Sequence, residues 1–372
     1  MEYTYLKDIC NITMGQSPES SSYNEAGDGV PFFQGNADFG EIYPCVRVWS
    51  NKPKKMASAN DILISVRAPI GALNYAKEDC CIGRGLAAVT PSDRVDLKYI
   101  YYLLKAKKSE LNSKGTGSTF KAIGKSVLEE TLVPLLSISE QNDIVSKIEC
   151  AEDIIRKRCV QIEELDNLIK SRFVEMFGDP VSNSKELKEL TLPELGEFGR
   201  GVSKHRPRNA PELLGGKYPL IQTGEVASAG LYITDYENTY SELGYKQSKM
   251  WNAGTLCITI AANIAKTSIL TFDACFPDSV VGFRANEKTN EVFIHYWFSF
   301  FQSILEAQAP ESAQKNINLK ILSELKVITP EIDEQNLFAE FAQQVDKLKA
   351  EIQKSLDETQ LLFDSLMQKY FG

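Results

Sequence analysis

The side chains able to do chemistry in this chain are mostly cations, and they gather in a few short stretches. "RVWSNKPKKM" (47–56) carries Arg47, Lys52, Lys54 and Lys55 around Trp49, and "RGVSKHRPR" (200–208) packs Arg200, Lys204, Arg206 and Arg208 into a loop with Gly and Pro. "STFKAIGK" (118–125) and "SAQKNINLK" (312–320) are polar loops with paired lysines ahead of a helical run; they supply Lys121, Lys125, Lys315 and Asn316. Arg67 and Arg84 each follow an apolar, strand-like segment. Flexible cations of this kind suit phosphates, and Arg, Asn and Gln suit base edges. Taken singly, each run also fits a solvated surface; their recurrence along the chain favours a nucleic-acid face.

Groups for bond-breaking chemistry are sparse. "GTGSTFKAIGKS" (115–126) lacks the glycine that a phosphate loop ending in Gly124-Lys125-Ser126 needs at 119, where Thr stands. The Gly-Arg-Gly triplets at 83–85 and 199–201 are not a dinucleotide fingerprint. No Asn/Asp-Pro-Pro-aromatic tetrapeptide of an amino-methyltransferase occurs, and Pro277-Asp278 with Glu324-x-Lys326 is a common pattern, too widely split for a nuclease set. His205 and His295 are the only histidines, and the eight cysteines form no Cys-x-x-Cys pair, so neither a zinc site nor a catalytic triad is expected. Scattered thiols in a chain that opens without a secretory layout read as small hydrophobes in a reducing cytoplasm. No apolar run approaches the roughly 20 residues that span a bilayer.

What must position these residues is a scaffold written twice. At an offset of 194, Ile64 meets Ile258, Ile70 meets Ile264, Cys81 meets Cys275, Ile123 meets Ile317 and Leu128 meets Leu322. Glu140-Gln141-Asn142 then falls on Glu334-Gln335-Asn336. Nearer the start of each copy the offset shrinks to 186, where Gly15 and Ser17 meet Gly201 and Ser203, and to 188, where Gln34 meets Gln222. Each copy reads as a mixed α/β block. "DILISV" (61–66) and "GLAAV" (85–89) predict strands; "LKYIYYLLKA" (97–106) and "VFIHYWFSFFQSIL" (292–305) predict helices; "KSVLEE" (125–130) and "LKILSE" (319–324) predict a further turn or two.

A long helix follows each block. From Glu140 to Gly178 and from Glu334 to Gly372 the count is 39 residues, about 58 Å of helix. Ser139 and Asp333 are the expected N-caps, and Gly178 with Pro180 the expected stop. Heptad columns run through Ile148, Ile155, Ile162, Ile169 and Met176, and through Phe338, Val345, Ile352, Thr359 and Leu366. Phe341, Leu348, Leu362 and Phe363 flank the second column, and both columns predict a helix–helix seam. The net charge of −9 resides in these stretches, −4 over 136–184 and −5 over 331–372, which leaves the two blocks near neutral. The expected domains are 1–136 and 185–330, with helical segments 137–184 and 331–372 as spacer and partner-docking elements.

"LKDICNITMGQSP", "DILISVRAPIG", "IGRGLAAV", "GSTFKAI" and "PLLSISEQNDIV", followed by "GTLCITIAANIA" and "PEIDEQNLF", resemble the specificity subunit of a type I restriction–modification system over essentially the whole chain. The resemblance implies an α+β fold of two similar target-recognition domains, each followed by a long helix. The helices would pack as an antiparallel coiled coil with pseudo-two-fold symmetry. It implies a non-catalytic chain that reads a bipartite asymmetric target on double-stranded DNA and docks two methyltransferase (modification) subunits and the restriction/translocase subunits. S-adenosylmethionine, ATP and magnesium would bind those partners, with no cofactor or metal on this chain. The alternative from another class is a coiled-coil scaffold whose heads bind proteins.

Overall fold

The computed structural model describes residues 2–117, 121–205, 207–261, 263–308 and 317–372, with the backbone alone at 303 and 306–308. Packing divides the chain into two compact units, Met1–Cys159 with Lys354–Gly372, and Val160–Gln353.

In the first unit four antiparallel strands lie in the order Cys10–Met14, Leu86–Pro91, Ile62–Ser65, Leu73–Tyr75. The two central strands are uninterrupted apolar runs because both faces of the sheet are covered. Ile62, Ile64, Ala87 and Val89 point into the helix-side core, while Leu63, Leu86 and Ala88 point into a second core with Phe33 and Ile82. That second core lies against a five-stranded sheet in which Val30–Phe33 runs parallel to Cys80–Ile82. Helix Leu97–Ala106 covers the other side. Asp96 caps it by accepting the Tyr99 N–H at 2.9 Å, and Tyr99, Ile100, Leu103 and Leu104 are buried.

The second unit repeats the plan. Strands Leu256–Thr259 and Val280–Ala285 sit at the 194 offset from Ile62–Ser65 and Leu86–Pro91, and Gly196–Arg200 sits at 186 from Cys10–Met14. Several backbone bonds recur at equivalent positions. Ile123 N–H donates to the Val66 carbonyl at 2.9 Å, and Ile317 N–H to that of Ile260 at 3.0 Å; Gly15 N–H donates to Leu86 and Gly201 N–H to Val280, each at 2.9 Å.

The long helices are Ile138–Phe177 and Ile332–Phe371, 40 residues each. Both begin earlier than the sequence suggested. Ser137, not Ser139, opens the first: its N–H and hydroxyl donate to the Glu140 carboxylate at 2.9 and 2.7 Å, which holds that carboxyl below its ordinary range. A Ser followed three residues later by Glu is a capping box. The Glu331 carbonyl accepts the Glu334 and Gln335 N–H groups and starts the second helix, placing Asp333 inside the first turn rather than at the cap. Gly178 does close the first helix, with φ of +76° and its N–H on the Val174 carbonyl at 2.8 Å.

Each unit takes the beginning of one long helix and the end of the other, so the helices run antiparallel within both. In the first unit Ile144, Val145, Ile148 and Ala151 share a core with Phe363, Met367 and Phe371. In the second, Ile169, Phe173 and Phe177 share one with Phe338, Ala342 and Val345. There Phe173 packs between Phe293, Phe300 and Phe338, with ring centroids 5.1–5.3 Å apart. Each ring buried this fully contributes about 2–3 kcal/mol. Of the predicted column residues, Ile155, Ile162, Met176 and Leu366 are half-buried, and Ile352 is buried. Leu348 and Leu362, expected to flank the seam, face solvent instead. A straight helix drifts about 20° per heptad, so residues beside the column rotate off the contact line.

The repeated Glu-Gln-Asn phrase proves to be a joint. Gln141 is fully buried; its carbonyl accepts the Asp96 N–H at 2.8 Å, and its amide donates to the carbonyls of Leu136 at 2.9 Å and Arg94 at 3.4 Å. Gln335, also fully buried, donates to Pro330 at 2.8 Å and Lys288 at 3.0 Å and accepts from the Thr289 hydroxyl at 2.8 Å. Each glutamine ties the first turn of a long helix to the start of the block's own helix.

Candidate nucleic-acid interface

The cations of the first unit fall around one turn. Gly83-Arg84-Gly85 follows strand Cys80–Ile82 and is pinned by Gly83 N–H to Phe33 and Gly85 N–H to Gln34, at 2.8 and 3.2 Å. A Cβ on Gly85 would stand 2.6 Å from the Gln34 carbonyl oxygen, so the glycine permits the close approach. The Arg84 N–H donates to the Ser17 hydroxyl at 3.3 Å. Arg67 leaves the end of the neighbouring strand and bridges to Ala122, next to Lys121, whose carbonyl accepts the Ala68 N–H at 3.0 Å. Arg67 and Arg84 line a notch of about 160 Å³ with Gln34, Gly35 and Asn36. Both guanidiniums are exposed, and among the described residues neither joins an ion pair.

The other predicted cations of this unit are distributed differently. Arg47 is drawn into an ion pair with Asp38 that raises the guanidinium's proton affinity further. The same Asp38 carboxylate accepts the Gln34 and Gly35 N–H groups at 2.7 and 3.3 Å, so this pair braces the notch wall. Lys52, Lys54 and Lys55 are exposed in the turn before strand Met56–Ala57; the Lys55 carbonyl accepts the Ile82 N–H at 2.9 Å, which sets that turn beside Arg84. Lys125 lies in the first turn of helix Lys125–Glu129 and pairs with Glu129 at 3.1 Å.

In the second unit Arg200 ends strand Gly196–Arg200, and it lines a notch of about 230 Å³ with Arg208, Ile260, Ala261, Asp278 and Ser279. This is the repeat counterpart of the first notch: Ala261 stands where Arg67 does, Asp278 where Arg84 does and Ser279 where Gly85 does. Asp278 holds Arg208 in an ion pair. Lys204 is exposed on the same loop, its N–H donating to the Gln247 side chain at 2.6 Å. Arg206, Lys315 and Asn316 lie outside the described residues. Gln34 and Asn36 were missed as lining residues because nothing local to "FFQGNADFG" marks them; the match of Gln34 to Gln222 was the one available signal.

The residues weighed for catalysis are committed elsewhere. Asp278 serves Arg208, and Glu324 pairs with Lys320 at 3.7 Å. His295 is half-buried with its Nδ1 2.9 Å from the Thr267 hydroxyl, and desolvation pushes its imidazole down to about 4. Burial likewise pushes the Cys10 and Cys80 thiols up to about 12, as befits small core hydrophobes. Among the described residues no three His, Cys, Asp or Glu side chains converge as a metal site, and no helix is long and apolar enough to cross a membrane.

Comparison with known proteins places this architecture. The family model for the type I restriction modification DNA specificity domain matches residues 1–164 and 184–359, one match for each copy. The putative type I restriction enzyme MjaX specificity subunit of Methanocaldococcus jannaschii is 46% identical over 157 residues, which are 41% of this chain and 37% of that protein. The type I restriction enzyme EcoBI specificity subunit of Escherichia coli is 21% identical over 414 aligned residues, 98% of this chain and 84% of that one. The S subunit of a type I restriction–modification system from M. genitalium has the same fold, with a TM-score of 0.63 at 17% identity over 100% of this chain and 96% of its own. The duplicated blocks, the paired long helices and the two family matches together show that the chain belongs to the type I restriction–modification DNA specificity family.

Proposed function

We propose that the chain is the sequence-reading, non-catalytic subunit of a cytoplasmic type I restriction–modification complex. Each unit reads one half of a bipartite asymmetric target on double-stranded DNA, and the long helices act as spacer and docking segments. The observation that carries this reading is the repeated scaffold with divergent exposed side chains. Backbone bonds recur beside both notches, Val66 N–H to Gly85 in one and Ile260 N–H to Ser279 in the other, while arginines in one are replaced by Ala and Asp in the other. Two readers of unlike half-sites need that combination.

The helices also support a partner that binds twice. Ile154 (38% exposed) and Leu362 (54%) belong to the first unit, and Leu168 (46%) and Leu348 (46%) to the second. Ile154 and Leu348, and likewise Leu168 and Leu362, are repeat counterparts, so each unit presents one apolar residue from each long helix. In the second unit the Lys349–Asp166 ion pair sets the register and brings Leu348 and Leu168 to the same level. Two equivalent apolar patches suit two copies of one methyltransferase subunit, with restriction subunits joining that core. S-adenosylmethionine, ATP and magnesium belong to those partners.

The test is co-expression of the full chain with a candidate methyltransferase subunit, followed by selection from a pool of randomised duplexes. A stable complex that enriches a split sequence supports the proposal. Equal binding of all duplexes at moderate salt, where nonspecific phosphate contacts are weakened, refutes it.

A further inference from the structure

The two notches are counterparts by position but differ in charge balance, and that contrast is informative. The first presents Arg67 and Arg84 with no carboxylate among its lining residues; the second presents Arg200 and an Arg208 already held by Asp278. Arg84 does not ride on a floppy loop. Its backbone is fixed by Gly83, Gly85 and Ser17, and a side chain at Gly15 would strike the Gly83 carbonyl oxygen at 2.2 Å, so the turn is locked from below as well. A phosphate anchor needs only charge and tolerates mobility, as the lysines at 52–55 do. A guanidinium that reads a base starts best from a fixed backbone, because the two parallel N–H bonds to guanine O6 and N7 need a defined approach.

Resting on the reading of the chain as a two-headed DNA subunit, we propose that the Arg67–Arg84 notch is the guanine-reading point of the first unit. Its counterpart in the second unit reads a different base, because Asp278 takes Arg208 out of free play and puts a carboxylate acceptor where the first notch has a donor. The first half-site therefore contains a guanine whose identity depends on Arg84 and Arg67, and the base at the equivalent place in the second half-site is not selected by them. Asp278 acts there as an acceptor for an exocyclic amine.

The experiment is the selection of duplexes by the full chain with its methyltransferase partner, comparing wild type, Arg84→Ala, Arg67→Ala and Arg94→Ala. Arg84→Ala is expected to lower the preference for guanine at one position of one half-site by roughly 5- to 150-fold, and Arg67→Ala to lower it at the same position by less. The other half-site should stay unchanged. Arg94→Ala, an exposed arginine of the same unit that lines neither notch, should leave the guanine preference as it was. If both notch variants instead weaken binding to every sequence uniformly, or leave the selected sequence as it was, the notch is not a base reader and this inference is overturned while the two-headed reading stands. If wild type itself selects no split sequence, the parent reading has failed. Asp278→Asn supplies the converse arm: it should change the base preferred in the second half-site only.

Discussion

Replacing Gln141 by Met tests whether the buried glutamine is the joint between block and rod. Met matches the side chain in length and flexibility and buries comfortably, so the change removes polarity rather than volume. The Asp96 N–H and the Leu136 carbonyl lose partners at 2.8 and 2.9 Å, and the Arg94 carbonyl loses a weaker one at 3.4 Å. A buried group left unpaired costs about 1–3 kcal/mol. Arg94 is exposed and Leu136 half-buried, so water can reach those carbonyls in part, while the Asp96 N–H sits at the cap of a packed helix. The net expectation is a loss of about 2–4 kcal/mol. For a unit of this size each kcal/mol moves the midpoint by about 2–4 °C, so the first thermal transition should fall by roughly 5–15 °C. Asn142→Ala, one residue on and exposed, is the control and should move it by less than about 2 °C. Differential scanning calorimetry of the full chain reads both. If Gln141→Met melts together with Asn142→Ala, the glutamine is not a joint and the account of the repeated phrase is wrong.

Gln335→Met should do the same to the second unit, and Thr289→Val, which removes only the hydroxyl donor to Gln335, should cost about half as much in a thermal melt. His295 is neutral when folded because burial holds it near 4, against about 6.5 in the unfolded chain. The unfolded state thus takes up its proton first, so stability is at full value above about pH 6.5 and declines towards pH 4, by roughly 3 kcal/mol. His295→Gln should flatten that decline in denaturant melts run across the same range; an unchanged slope would sink the assignment. Gly15→Ala, whose new Cβ would lie 2.2 Å from the Gly83 carbonyl oxygen, should destabilise by about 1–3 kcal/mol in urea unfolding. Ile154→Ser with Leu362→Ser should weaken methyltransferase co-purification while leaving the melting midpoint within about 2 °C, as substitution at exposed positions does.

The elements most legible in the sequence were those whose packing is periodic and whose copy stands elsewhere in the chain. Helix Leu97–Ala106 lies where its apolar face and Asp96 put it, and both long helices were visible from their columns and the shared 194 offset. The first start was misplaced by two residues because Ser137 and Ser139 are equally good caps in isolation and the Glu140 carboxylate chose Ser137; the second because the Glu331 carbonyl, not the Asp333 side chain, takes the first N–H groups. The short strands of the second sheet were not legible, since pairs such as Trp49–Ser50 and Met56–Ala57 are too brief to show alternation. The notch was half legible. Arg67 and Arg84 stood out by type, but Gln34 and Asn36 reach it only because Val30–Phe33 pairs in parallel with Cys80–Ile82, a non-local contact that no short window reveals. Leu348 and Leu362 were misassigned for the converse reason: heptad spacing sees apolarity but not which side of a drifting helix meets its partner.

The division between what the two copies keep and what they change follows from where the energy resides. The residues that match at the 194 offset, such as Ile64 with Ile258, Ile123 with Ile317 and Gln141 with Gln335, are buried, and a change at any of them leaves a cavity or an unpaired group. The residues that differ include Arg67 against Ala261 and Arg84 against Asp278: the arginines are exposed, while Ala261 and Asp278 are half-buried and Asp278 holds Arg208. A scaffold built this way lets the charge of its notch change without disturbing the sheet beneath it. The glycines at 15 and 201 mark the boundary between the two regimes: each presses against the turn that carries the variable side chain, at 2.2 Å from a backbone oxygen to the Cβ it lacks. Fixed backbone up to that turn and free choice beyond it allow a duplicated chain to carry two unlike surfaces on one fold.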